Sequence, residues 1–325
     1  MINNNTLDEN METLNYDEAV KLVKAEVERA LVKSPFIIRE YLSHLALTQG
    51  KYIRATSVIV AAQDGNGYVH SDAVKAAGVI ELIHLASLVH DDIIDNADIR
   101  RGKPTLQNKY GKRTAVICGD YLLSLALKMA SEANDKNRGT EIDFPDYISR
   151  ICLGELEQHI NNLNLNLSIF QYLKIISGKT AALFEASFFA GAAVLKVSDE
   201  ELRNYKQIGY YIGMIFQLSD DCIDFDTSAD IANKPVQSDY EQGVITLPLI
   251  HAFQNLEEFK QKAEKAKITR EEINQAIMKT GGLAFTKGLI KRYYDKAMHR
   301  INELEINEEK KTKIIFILNK AARIQ

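Results

Sequence analysis

The chain of 325 residues is 46% hydrophobic and 26% charged, enough apolar material for one large helical domain or two ordinary ones. A formal charge of −4 gives no footing for nucleic-acid binding. The three cysteines, Cys118, Cys152 and Cys222, lack metal-ligand spacing and read as reduced packing residues rather than a disulfide framework. Met1 to Asn15 is polar and acidic, lacks the basic start and apolar centre of a signal peptide, and reads as flexible. With only five prolines and almost no strand patterning, the rest of the chain suits long helices.

The first helix is expected from about Asp17 to Val32, with Val20, Val23, Val27 and Leu31 as its apolar stripe, and Pro35 opens a second to about Leu47. Lys51 and Arg54 follow Gly50 at a further helix start. From Ser71 to about Asp95 the sequence is apolar almost all round, as a buried central helix requires, and it ends in Asp91-Asp92-Ile93-Ile94-Asp95. Further helices are expected at Thr114 to Ala130, Tyr147 to Leu165 and Phe170 to Leu195. Glu185 interrupts the last of these, so no bilayer crossing is expected. Capping boxes at Ser198/Glu201 and Thr269/Glu272 open two more helices. The first of these runs through Tyr205, Ile208, Ile212, Ile215 and Phe216 into Asp220-Asp221-Cys222-Ile223-Asp224, so the two halves echo each other. Thr227 to Val244 reads as a loop, and two amphipathic segments, through Ile290 and Tyr294 and then Ile314 to Leu318, close the chain. No linker divides it, and residues 1–325 read as one all-α domain.

Residues four apart share a helix face, so Asp91 with Asp95, and Asp220 with Asp224, each aim two carboxylates at one spot and call for a cation. Magnesium takes one or two carboxylates and fills its remaining positions with water or phosphate oxygens, so two such clusters facing each other would hold a diphosphate. Cations should accompany them. Arg100 and Arg101 follow the first cluster in an irregular Gly- and Pro-marked loop, Ser177-Gly178-Lys179-Thr180 is a glycine-broken segment with a lysine and a hydroxyl, and Lys234 follows the second cluster.

On these motifs residues 45 to 250 resemble the trans-prenyltransferases of the polyprenyl diphosphate synthase family. Glu81 to His90, leading into the first cluster and Arg100-Arg101-Gly102, and Phe216-Gln217-Leu218-Ser219, leading into the second, carry the likeness. The resemblance implies a single isoprenoid-synthase helical bundle around a central elongation cavity. It implies three magnesium ions, contacted by Asp91, Asp95 and Asp220, with Asp92, Asp221 and Asp224 supporting them. Arg100, Lys179 and Lys234 would bind the allylic diphosphate, and Gly50, Lys51, Arg54, His84 and Arg101 isopentenyl diphosphate. Thr180 and Gln217 would flank the developing carbocation. Where the family has Gly-Gly-Lys-Arg-x-Arg-Pro, this chain has Gln49-Gly50-Lys51-Tyr52-Ile53-Arg54-Ala55, and Asn233 replaces the glycine common before Lys234. A homodimer, or a small regulatory partner subunit, and a cytoplasmic location are expected.

Ala86 and Ser87 lie five and four residues before Asp91, about 6 to 7.5 Å along the helix, where short-chain members often place an aromatic. Without that plug a product longer than twenty carbons is expected, with Ile83, Leu123 or Leu127 as a deeper floor. The alternatives are a farnesyl or geranylgeranyl synthase, a terpene cyclase, which has no use for Lys51 and Arg54, and a non-catalytic subunit, which would have lost the charged residues kept here. His90 reads as structural, Lys103 and Lys112 as solvated, and Phe188, Phe189, Tyr210, Tyr211 and Phe216 as core or tunnel wall.

Overall fold

The computed structural model describes residues 13–46, 50–134, 142–225 and 238–324, and these are overwhelmingly helical. Among them the only extended pairings beyond an isolated bridge are two small antiparallel ribbons, β1 (Thr13–Leu14) with β2 (Val69–His70) and β3 (Ile99–Arg100) with β4 (Lys103–Pro104). The fold is all-α, as the helical periodicity predicts. By internal contacts the chain forms two compact units: Met1–Phe144, Ala186–Tyr205 and Glu305–Ile314, and Pro145–Glu185, Lys206–Leu304 and Ile315–Gln325.

The first unit is built on α1 (Tyr16–Val32), α2 (Phe36–Ala46), α3 (Ile53–Ala61), α4 (Ser71–Ile94), α5 (Leu106–Tyr110) and α6 (Lys112–Asn134). The N-terminal segment is ordered further back than its composition suggests. Leu14 is buried, and Asn15 forms a capping box, its Oδ1 accepting the Glu18 N–H at 3.0 Å while Glu18 Oε2 accepts the Asn15 N–H at 3.1 Å. Residues 1–12 lie outside the described residues. As expected, α4 is the central helix, packed against α1, α3 and α6, with Val79, Ile80 and Leu82 sealed from solvent. From α16 (Glu308–Ala322), Lys310 enters this unit only 3% exposed. It donates to the carbonyl oxygens of Ala61 and Gln63, both at 2.7 Å, and lies 5.1 Å from the Tyr205 ring centroid.

Two helices are long and apolar enough to cross a membrane by length and composition, α4 and the Lys112–Glu132 part of α6, a property that unbroken apolar runs did not reveal. Two thirds of the apolar window of α4 (67%) is buried inside the protein, as in a core helix, against one third (33%) for α6.

The second unit takes in α7 (Phe144–Ile160), α8 (Ile169–Ile176), α9 (Ala182–Val194), α10 (Asp199–Ile223), α11 (Ser238–Glu241), α12 (Leu247–Asn255), α13 (Glu257–Lys265), α14 (Arg270–Thr280) and α15 (Gly282–Glu303). Of these, α9 and α10, like α16, contribute residues to both units, as does α7 through Phe144 alone. Its core gathers Tyr172, Ile176, Leu218, Leu247, Ile250 and Phe253. Both predicted capping boxes form, at Ser198/Glu201 and Thr269/Glu272. Glu185 is not stranded in its apolar helix, since Arg150 donates to it twice, at 3.1 and 2.8 Å, and the Tyr147 hydroxyl once at 3.2 Å. Helix α7 ends at Ile160 rather than Leu165, because Leu163 takes a left-handed φ of 59° and donates its N–H to the Gly243 carbonyl at 2.7 Å. Cys118 and Cys222 are buried, as packing residues should be, whereas Cys152 is exposed on α7, contrary to expectation. Most of the expected Thr227 to Val244 loop lies outside the described residues, but Ser238–Glu241 forms a helical turn.

Candidate active site

In the first unit, α4 delivers its aspartates at its C-terminal end, with Asp91 half-buried, Asp92 buried and Asp95 exposed at the C-cap. The Asp95 N–H donates to the Asp91 carbonyl at 2.8 Å, so helical geometry persists through the cluster and stacks the two outer carboxylates one turn apart. Asp92 points inward and is held by Arg100, whose Nε donates to Oδ1 at 2.5 Å. Burial pushes the Asp92 carboxyl above its ordinary range, and Arg100 opposes that shift.

The loop that carries Arg100 is not irregular but a tight hairpin. Ile99 pairs with Pro104 and Arg100 with Lys103, leaving Arg101 and Gly102 as the two-residue turn, both at positive φ (53° and 76°). That is the signature of the primed turns that suit a hairpin's twist. Gln107 staples this loop to the helix end, its Nε2 donating to the carbonyls of Asp92 (2.7 Å) and Ala97 (2.9 Å). Asp92, Arg100 and Arg101 border a small pocket whose other walls include His44, Leu45 and Leu88.

Gly50, Lys51, Arg54, His84 and Arg101 also belong to this unit. Arg101 explains Gly50: a Cβ there would meet the Arg101 guanidinium at 2.7 Å. Arg54 Nη1 lies 3.2 Å from His84 Nε2, so His84 accepts through Nε2 and carries its proton on Nδ1. Burial, reinforced by Arg54, Arg101 and Arg100, lowers the His84 pKa well below the ordinary histidine range, and the imidazole stays neutral. Lys51 is exposed, and Tyr52, which stands where the family pattern has a cation, lies under the Lys24 ammonium, 5.7 Å from the ring centroid.

The second cluster is presented by α10 in the second unit, again with a buried middle member. Asp221 is 1% exposed and accepts from the Tyr172 hydroxyl and from Gln217 Nε2, the latter at 2.9 Å. Thr180 Oγ1 donates to Gln217 Oε1 at 2.8 Å, which fixes the amide's orientation. Asp220 pairs with Arg323 at 2.5 Å, and Asp224 is half-buried. The segment with Lys179 and Thr180 is not broken at Gly178. It is a π-helical turn, Ser177–Ala181, joining α8 directly to α9. Such turns commonly mark functional sites. A pair of glycines makes room for it: a Cβ at Gly154 would meet the Lys179 backbone nitrogen at 2.3 Å, and one at Gly178 the Arg150 carbonyl at 2.7 Å. Lys179 Nζ pairs with Glu155 at 2.8 Å. Lys234 lies outside the described residues.

Among the described residues no three histidine, cysteine or carboxylate side chains converge into a closed metal cage. The exposed and half-buried carboxylates come as pairs on helix ends, a donor set that fits magnesium, which leaves most of its positions to water and phosphate. Sequence reasoning missed Glu81, Glu155, Gln107, Tyr172 and Arg323. An acid one turn before His84 in an apolar helix was a usable signal for Glu81. Tyr172 and Arg323 reach Asp221 and Asp220 from 49 and 103 residues away, a separation that leaves no local trace.

Residues 35–280 match the polyprenyl synthetase family. The chain belongs to that family. It is 35% identical to heptaprenyl diphosphate synthase component 2 of Geobacillus stearothermophilus over 88% of this chain and 90% of that one. Its fold superposes on heptaprenyl diphosphate synthase of Staphylococcus aureus with a TM-score of 0.85 at 32% identity, covering 96% of this chain and 99% of that one. A polyprenyl synthase of Caulobacter crescentus CB15, solved with calcium and isoprenyl diphosphate, gives 0.80 at 29% identity over 96% and 98% of the two chains. The protein is accordingly a prenyltransferase, with the helical fold of the isoprenoid synthases and a leaning toward long-chain members.

Proposed function

We propose that the chain is a magnesium-dependent synthase that condenses isopentenyl diphosphate head to tail with an allylic diphosphate, releasing pyrophosphate and a trans-polyprenyl diphosphate longer than twenty carbons. The observation that carries this reading is the repeated construction at the ends of α4 and α10: a buried middle aspartate pinned by hydrogen bonds, with a carboxylate on either side of it at the same helix end. We take residues 1–325 as one synthase domain, a reading supported by a family match that runs through both units.

Asp91, Asp95 and Asp220, supported by Asp92, Asp221 and Asp224, would hold three magnesium ions, which would supply positive charge to the leaving diphosphate. Arg100, Lys179 and Lys234 bind the allylic diphosphate, and Lys51, Arg54, His84 and Arg101 hold isopentenyl diphosphate, with Gly50 leaving room for the Arg101 guanidinium. Neutral His84 presents an N–H to a phosphate oxygen without adding charge. Thr180 and Gln217, locked to each other, set fixed oxygen dipoles beside the carbocation. The alkene then bonds to the allylic carbon, and the proton lost from the new cation leaves with pyrophosphate.

Support for a long product comes from Ala86, fully buried with no aromatic side chain in its place, and from relatives that make heptaprenyl chains. Val116, Ile117 and Leu127 are exposed apolar residues on α6, which supports a second copy or a small partner subunit as their cover, the latter in keeping with the "component 2" in a relative's name. Exposure of Leu127 counts against it as the deeper floor and leaves Ile83, which is 1% exposed, and half-buried Leu123. A cytoplasmic site of action completes the reading.

The test is chromatography of products made from farnesyl diphosphate, isopentenyl diphosphate and magnesium. Products beyond twenty carbons are expected from the wild type, alone or with its partner subunit, and shorter ones from Ala86→Phe. An unchanged product length in that variant refutes the open-tunnel reading.

A further inference from the structure

Helix α3 begins without a cap of its own. Tyr52 occupies the N-cap position in a left-handed conformation (φ 51°, ψ 32°) and offers no side-chain acceptor. Instead Glu81, from α4, accepts the Ala55 N–H on Oε1 at 3.0 Å, so a carboxylate from a neighbouring helix does the work of an N-cap. The residue before Ala55 is Arg54, and three residues after Glu81, on the same face of α4, is His84, the partner of Arg54 at 3.2 Å. Arg101 completes the group against Gly50. Burial raises the Glu81 pKa, the Ala55 N–H and the charges of Arg54 and Arg101 oppose that rise, and Glu81 in turn opposes the drop in the Arg54 pKa, to about 10, that burial causes.

We infer that Glu81 is a positioning residue of the isopentenyl diphosphate site: a resident counter-ion that fixes the first turn of α3 and Arg54 while its charge holds down the site's affinity for diphosphate. This rests on the assignment of Lys51, Arg54 and Arg101 to that substrate. The two effects have opposite signs. Glu81 organises the cations that bind a diphosphate, yet it places a negative charge beside the one that arrives. A glutamine of the same length keeps an acceptor for the Ala55 N–H and removes the charge, whereas alanine removes both.

The experiment is calorimetric titration of inorganic pyrophosphate into the full-length, metal-free protein. Glu81→Gln is expected to bind pyrophosphate about three- to tenfold more tightly than wild type, and Glu81→Ala more weakly by a similar factor. In steady state the KM for isopentenyl diphosphate should move in the same directions, with kcat and the KM for the allylic substrate unchanged, a split that a merely structural role would not give. Lys51→Ala and Arg54→Ala serve as controls. If both weaken pyrophosphate binding while Glu81→Gln leaves it unchanged or weaker, Glu81 has no counter-ion role. If neither control weakens it, the assignment of the isopentenyl site itself is overturned.

Discussion

The two aspartate clusters share a sequence pattern and a burial pattern, yet they are braced by different chemistry. At the end of α4 the buried Asp92 faces a guanidinium only eight residues further along, on the hairpin that follows its own helix. At the end of α10 the buried Asp221 is held by neutral donors, the Gln217 amide one turn back and the Tyr172 hydroxyl from 49 residues away. The contrast lies in these contacts of the buried middle aspartates, a charged donor for Asp92 and two neutral donors for Asp221, while in the second cluster the charged donor, Arg323, meets the outer Asp220. A buried carboxylate needs donors, and the fold supplies whichever lie within reach.

The hardest test of their equivalence is to remove one outer carboxylate from each. Asp91→Asn and Asp220→Asn should each lower kcat/KM by about 10²- to 10³-fold in a magnesium-saturated assay, the scale for losing one electrostatic stabiliser of a transition state. A loss confined to one variant would mean that only that cluster serves the reaction. The braces should differ in stability instead. Arg100→Ala strands a buried carboxylate and should cost about 2 kcal/mol, lowered from the full buried-pair value because Arg100 is partly exposed. Tyr172→Phe removes one neutral donor and should cost about 1 kcal/mol. Urea unfolding checks both, and a larger cost for Tyr172→Phe would reverse the contrast.

The features legible in the sequence are those that obey local rules. The all-round apolar run of α4, the capping boxes at Ser198 and Thr269 and the paired aspartates each depend on neighbours within a turn or two, so periodicity and spacing found them. The hairpin at Arg101-Gly102 was read only as irregular, because a non-glycine residue at positive φ has no strong signature. The π turn at Ser177–Ala181 looked like a break at Gly178, when the glycine instead admits the backbone of α7. The Asn-rich end of α7 gave no stop signal of the usual Gly or Pro kind. Glu81, Glu155 and Tyr172 were missed because their roles lie in contacts with other helices.

Lys310 has a further consequence, for the response of the fold to pH. Burial pulls its ammonium from 10.5 down to about 7, so between those values the folded chain holds a neutral amine while the unfolded chain holds a cation. Unfolding then takes up a proton, and stability rises with pH across that window; below about 7 the group is charged in both states and the gain is lost. The slope approaches an upper bound of about 1.4 kcal/mol per pH unit. Urea midpoints measured from pH 7 to 10 should rise in the wild type relative to Lys310→Met, and parallel profiles would show that this amine stays charged inside the fold. The C-terminal helix would thus be docked onto the end of α3 by a group that titrates near neutrality, making alkaline conditions a stabiliser of that contact.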